Sequence, residues 1–537
     1  MKDNNHIIDK VFVEVSTGNM DSATSFKKLI VYLLNEYIFP ELQQTLNIYN
    51  PKDRVARIKS LNLDFTIGSG DLESEFKMIG PEHFVKEIEN ILGMPDDEVR
   101  KRGTDGLGVI PKGKLSKETE DFEVFTEGHR GREKNGFELI PLEENRKELF
   151  FFFLENGYLP WYGNKNEINE FIKLGNWKDH INKNEFIERL TNLLRSSSTA
   201  GKRLIFQLSV EHVKMTLHKF DSSAGDVKER LLNLFENQNS DIRNDLLLFL
   251  LNVSTGGDFS KLLDSGSNLS DSINKISDIL PLQKTKNDLK RVIEQGEALS
   301  DKEKTQLIST ITSKEIEKEL LVDSNKNVKE MDRSINQQKD EKESFIDQKD
   351  VEKEPFNNQN KEENEPFIDQ YEDGLKLQNV GLIIFHPFLK QFFRTIDILD
   401  EKGKIKKESI SIAVQSLHYL ATENIEFFEG DLIFEKFLCG IPITMPVERE
   451  NLLSEKIEYE SKQLLIEVIN QWAALRSSSP QDLREMFIRR NGKLNREGSN
   501  YRLIMERKAQ DVLLEKLNWN ISLVKTPWVK ELIFVDW

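Results

Sequence analysis

A short unit recurs in this chain and carries proline where a helix cannot accept it. Glu343–Gln348 (ESFIDQ), Glu354–Gln359 (EPFNNQ) and Glu365–Gln370 (EPFIDQ) follow one another at a step of 11 residues, and Ser334–Gln337 resembles a decayed earlier copy. On a continuous α-helix an 11-residue step would bring Phe345, Phe356 and Phe367 to nearly one face and wind a right-handed coiled coil. Pro355 and Pro366 oppose this: each removes a backbone donor and pushes Glu354 or Glu365 out of the α region, at about 3 kcal/mol per break. With one apolar anchor per copy the segment cannot bury a core of its own. The expectation is a polar, extended spacer over residues 321–377, with ordered structure on both sides of it.

At 537 residues the chain is too long for one ordinary core, so several packed units are expected. Lys and Arg number 75 against 92 Asp and Glu, a net charge of -17, which disfavours broad contact with a phosphate backbone and argues against nucleic acid as a partner. Cys439 is the single cysteine, which rules out an intrachain disulfide and any CxxC site. The opening MKDNNHIIDK lacks the apolar stretch of a secretory signal. Leu149–Leu154 and Leu246–Leu251, the longest apolar runs, fall far short of the roughly 20 residues that span a bilayer. A soluble, cytoplasmic chain is expected.

Residues 1–93 read as a small βαβα unit. Val11, Val13 and Val15 alternate as in a half-buried strand, a helix capped near Asp21-Ser22 runs to Pro40, Leu61–Ile67 alternates again, and Leu72–Leu92 suits a second helix. Residues 94–137 hold no period and suggest a linker or long loop. Gly103, Gly106, Gly108 and Gly113 lack the flanking strand and the GKS/T of a phosphate loop, and Ser196–Lys202 (SSSTAGK) lacks the first glycine and the final hydroxyl. Residues 138–320 read as a helical domain, amphipathic near Lys147–Asn156, Glu185–Leu194, Val210–Leu217 and Val227–Leu251.

Residues 378–537 return to dense order. Helices are expected at Pro387–Ile398, Glu408–Ala421, Phe428–Leu438, Glu455–Ala474 and Pro480–Phe487, the last with Ser479 as N-cap and proline at the first position. Gly492–Leu494 and Tyr501–Met505 flank a turn at Arg496–Ser499 and predict a hairpin, with further strands at Asn520–Val524 and Leu532–Val535. The fold class is α+β, predominantly helical.

A search for chemistry yields no catalytic, cofactor-binding or metal-ligating residues. Cys439 sits in FLCGI, an apolar setting where a thiol packs rather than reacts, with His386 and His418 as distant candidates for a base. His212 and His218 are six apart, which places them on different helix faces and makes a poor metal pair. Trp472, Trp519, Trp528 and Trp537 are interleaved with Leu and Ile as core anchors are, although a ligand cage was an alternative. Arg484, Arg489, Arg490, Lys493 and Arg496 reverse the acidic balance locally and read as a solvated face, or else as a docking surface for an acidic partner.

The segments GLIIFHPFLKQFF, AVQSLHYLAT, FEKFLCGIPI, INQWAALRSSSPQDLREMFIRRNGKL and RKAQDVLLEKLNWNISLVKTPWVKELIFVDW, which together run from Gly381 to Trp537, resemble the C-terminal region of the contractile injection system tape measure family. Leu438-Cys439-Gly440 with Pro442, Trp472 with Leu475, Ser479-Pro480, Leu517–Trp519 and Pro527-Trp528 are specific in combination. His6–Val15 and Glu148–Trp161, with its Leu-Pro-Trp, are similar to upstream parts of the same family. The resemblance implies a non-enzymatic assembly factor that sets tube and sheath length in a phage-tail-like particle. It implies the inner tube and baseplate or spike proteins as partners, and a location first in the cytoplasm and then inside the tube. An adaptor or chaperone-like module for baseplate or cargo proteins is the rival expectation.

Overall fold

The computed structural model describes residues 6–8, 11–14, 29–48, 53–58, 137–220, 240–256 and 374–537, with a few isolated positions between 290 and 308. The chain divides into two compact units, Met1–Glu148 and Leu149–Trp537.

In the first unit β1 (Arg54–Ile58) pairs antiparallel with β2 (Phe137–Pro141), Val55 opposite Ile140. Arg57 Nη2 donates to Asn145 Oδ1 at 2.7 Å. The strand expected at Ile7–Val15 is not formed: described residues 6–8 and 11–14 have no regular secondary structure. Alternation supplies only a face, and a strand also needs a ladder partner. Pro40 does not end the first helix either. A π turn over Leu34–Ile38 precedes α1 (Phe39–Ile48), and Phe39 N–H reaches back to Leu34 O. The helical run is unbroken from residue 29 through Ile48, and Pro40, which offers no donor, lies just past the widened π turn. The expected strand at Leu61–Ile67, the helix at Leu72–Leu92, the linker and the repeats lie outside the described residues.

The second unit begins inside α2 (Leu142–Asn156), whose FFFF run turns about 100° per residue and therefore meets four surroundings. Phe150 packs on Phe171 and Trp177, Phe151 on Phe186, Phe152 on Tyr158, and Phe153 stacks on Phe428 at 4.8 Å. Around it lie α3 (Lys165–Phe171), α4 (Leu174–Ile181), α5 (Asn184–Ser196), α6 (Ser198–Gln207), α7 (Val210–Phe220) and α8 (Ser240–Thr255). In α5, Phe186, Leu190 and Leu194 recur every fourth residue and are all buried, whereas Leu246–Leu251 of α8 are buried all round, the mark of a central helix. The SSSTAGK segment is a helix start, with Ser197 Oγ accepting from Ala200 N–H.

From β3 (Leu375–Leu377) the chain builds a second core. The run Val380–Phe385 forms a fully buried 3-10 helix, and its backbone passes so close to another segment that position 381 admits only glycine: a Cβ there would meet the Phe487 carbonyl oxygen well inside contact distance and lie 2.5 Å from Ile488 Cα. Then follow α9 (Leu389–Thr395), α10 (Ile410–Thr422), α11 (Ile433–Leu438), α12 (Glu455–Gln471) and α13 (Pro480–Leu483), which continues as a π turn through Ile488. Ser479 and Asp482 close a reciprocal capping box at the start of α13. The sheet has the order β3-β4-β5-β7-β6, with β4 (Gly492–Glu497), β5 (Asn500–Met505), β6 (Leu523–Val524) and β7 (Ile533–Asp536). The β4–β5 turn is Gly498-Ser499, shorter than the four residues expected, and β5 and β7 run parallel. Tyr501, Leu503 and Met505 face the core, and Arg502 and Ile504 face away.

Candidate functional site

The sequence-level candidates are dispersed. Cys439 is buried at the end of α11, and burial, together with the neighbouring Glu435 charge, pushes its thiol well above the ordinary range. That is the opposite of an activated nucleophile. Neither histidine hydrogen-bonds to it: half-buried His386 donates from Nε2 to Asn520 O at 2.9 Å, and His418 Nδ1 lies 3.6 Å from Glu435 Oε1. His212 is held neutral by burial. Its Nε2 donates to Ile172 O at 2.7 Å and its Nδ1 accepts from the Ser209 hydroxyl at 2.6 Å, whereas His218 is exposed.

The four tryptophans form no cage. Trp472, Trp519 and Trp528 each donate an indole N–H to a distant carbonyl, of Leu513, Ile384 and Gly403 respectively, and pack against Phe487, Phe388 and Phe393, tilted, edge-on and stacked in turn. Trp537 lies under the Arg490 guanidinium. The basic group is split: Arg484 and Arg490 are buried, Arg489 is exposed, and Lys493 and Arg496 are half-buried. Arg484 is buried, donates to Leu420 O at 3.1 Å and pairs with Glu423; Arg489 donates to the carbonyls of Ala421 and Thr422. The two thus cover the last carbonyls of α10, which the helix itself cannot satisfy. Arg490 is buried against Met486 O and Asp511, and Arg496 lies over the Tyr501 ring.

What the sequence did not single out is a cluster of buried charges between the helical layer and the second core. Arg203 of α6 donates from Nε to both carboxylate oxygens of Glu429, at 3.1 and 3.2 Å, and from its two other nitrogens to Leu154 O and Thr444 O. Lys436 of α11 reaches the same carboxylate at 2.8 Å and Ile443 O at 3.0 Å, and burial holds its pKa below the usual lysine range. All three side chains are completely buried. Gly157, at φ +80°, makes room: a Cβ would stand 2.6 Å from Arg203 Nη2. Next to it Glu435, also buried, accepts from Asn379 Nδ2 at 3.0 Å, so two cations and two carboxylates are desolvated together. The one signal was charge in apolar company, Glu435-Lys436 between Phe434 and Phe437, and Arg203 before Leu204-Ile205-Phe206.

Beside this cluster a cleft of about 840 Å³ opens between α3, α6 and the segment after α10. Its wall includes His418, Ile425, Phe427, Arg449 and Arg489. Among the described residues no group of three or more His, Cys, Asp and Glu side chains is placed to hold a metal ion, and no helix is long and apolar enough to cross a membrane.

The family model described as contractile injection system tape measure protein matches residues 5–537. The chain belongs to that family. No curated protein and no solved structure gives a match. For this tape measure family member, the motifs that carried the resemblance are structural joints. Leu438-Cys439-Gly440 ends α11, Trp472 and Trp528 tether distant backbone, and Ser479-Pro480 starts α13. Membership implies tube and sheath proteins as its surroundings.

Proposed function

We propose that the protein sets the length to which the inner tube, and with it the sheath, of a contractile injection particle grows, in contact with the tube and the baseplate or spike proteins. It would be present in the cytoplasm during assembly and in the tube lumen afterwards. The family match over almost the whole chain carries this reading. The helix α8 and the strand β3, which flank the repeat-bearing stretch, belong to one compact unit, so a spacer that measures length goes out from that body and returns to it. Deleting one copy, Glu354–Asn364, then shortens the mean particle by roughly 8–18 Å, half the span of 11 residues between helical and extended rise. A change of roughly 16–36 Å would mean that the body opens in the lumen.

The packing of Leu149–Trp537 as one body with a buried ionic joint favours a second reading, an adaptor that holds baseplate or cargo proteins without measuring. Electron microscopy of the deletion and of a two-copy insertion separates the two. Length distributions that coincide with the parent's defeat the ruler and leave the adaptor.

A further inference from the structure

The cleft beside the ionic joint carries positive groups that the fold uses only in part. Arg449 is exposed, and its guanidinium makes a single long bond, 3.4 Å from Nη1 to Gln207 O. Arg489 keeps Nη1 uncommitted to any described residue after serving Ala421 O and Thr422 O. Lys165 is matched by Asp431 at 3.2 Å, and Glu426 is the other acidic wall residue, so the excess is cationic in a chain whose net charge is -17. Between these groups stand the aromatic ring of Phe427 and the exposed side chain of Ile425. His418 in the same wall is 7% exposed, and its Nδ1 has no hydrogen-bond partner among the described residues. The volume lies within the range of about 300–1,000 Å³ usual for ligand clefts.

We propose that this cleft is the docking site of the chain's own repeat, a phenylalanine flanked by acidic and amide side chains. The chemistry is complementary: the phenyl ring meets Phe427 and Ile425, and Glu365 and Asp369, or Glu343 and Asp347, meet Arg449 and Arg489, whereas the middle copy offers only Glu354 with Asn358. Reach is ample. Phe367 precedes the cleft residue Gln378 by 11 residues, about 36 Å when extended, and Phe356 and Phe345 lie one and two steps further back. A tether this short sets an effective concentration on the order of millimolar, so a weak motif suffices to occupy the site. Three copies compete for one cleft, and the copy that docks fixes how much of the spacer stays free, in steps of 11 residues. This holds whether the spacer measures length or only tethers.

The test uses the full chain and a triple variant, Phe345→Ser, Phe356→Ser and Phe367→Ser, with a fluorescent peptide of residues 363–373 as probe. Removing the tethered competitors should make the peptide bind the triple variant at least about tenfold more tightly than the parent. Arg449→Glu in the triple-variant background should weaken that binding by about tenfold or more, and Ile425→Ser serves the same purpose if Arg449→Glu alters the melting curve. Equal binding to parent and triple variant, no binding to either, or indifference to both cleft substitutions overturns the proposal. Parent occupancy that rises with protein concentration assigns the occupant to a neighbouring copy and overturns the same-chain assignment.

Discussion

The helical layer and the sheet-bearing core, both within Leu149–Trp537, solve the burial problem in different ways. The first is closed by rings that are near one another in sequence: Phe150, Phe171, Trp177 and Phe186 pack at centroid distances of 5.0 to 6.2 Å within a span of 37 residues. The second is pinned by long-range polar reach, with Trp519 bonding Ile384 O across 135 residues and Trp528 bonding Gly403 O across 125. The difference teaches where each core is fragile. A ring cluster loses area when one ring is trimmed, whereas a pinned core depends on positions where backbone meets backbone.

The sharpest way to break this contrast is Gly381→Ala. The added methyl collides with backbone at Phe487 and Ile488, which cannot rotate aside, and should cost more than about 4 kcal/mol. Urea unfolding followed through a tryptophan in each core, Trp177 and Trp472, should show both transitions moving together, since the cores share one compact unit. A shift of the Trp472 transition alone would make them separate cooperative bodies. Next comes Glu429→Ala, which leaves Arg203 and Lys436 buried and facing each other without their shared carboxylate, at about 3–5 kcal/mol in the same denaturation experiment. A loss below about 1 kcal/mol would mean that water reaches the joint.

Trp528→Phe keeps the stack on Phe393 but leaves Gly403 O without its donor; about 1 kcal/mol should be lost by the same measurement. The smallest effect sharpens the comparison through pH. Burial lowers the pKa of His212 in the helical layer and of His386 in the other core from 6.5. Below that value the unfolded chain takes up a proton that the folded chain resists, so stability is full above 6.5 and declines as pH falls toward the folded values. His212→Gln should flatten that decline, read as melting temperature against pH, and an unchanged slope would remove His212 from it.

Much of the fold was legible where one local rule sufficed. The Ser479-Pro480 start, the β4–β5 hairpin, and the helices at 184–196, 410–422 and 455–471 follow from caps, periodicity and turn chemistry, which act within a few residues. The strand at Ile7–Val15 failed because pairing needs a partner that no local pattern supplies. β1 went unnoticed because RVARI shows little alternation. Two of the five basic residues, Arg484 and Arg490, were misread as surface for a related reason. The Arg484 guanidinium satisfies a carbonyl of α10, 64 residues away, and Arg490 pairs with Asp511, and burial of that kind is decided only once the chain has folded. Arg203 and Glu429 lie 226 residues apart, and neither gives a sign of the other in sequence.

The place of β7 in the sheet bears on how the protein is made. Residues 533–536 lie between β5 and β6, parallel to one and antiparallel to the other, while β3 must wait for a partner that follows it by more than a hundred residues. During synthesis the helices of 142–255 can close on local contacts while still emerging, but the sheet is limited to β3, β4 and β5 until Ile533–Asp536 has left the ribosome. Until then one edge of β5 is open to any passing strand, so chaperones that shield open edges should raise the yield of folded protein.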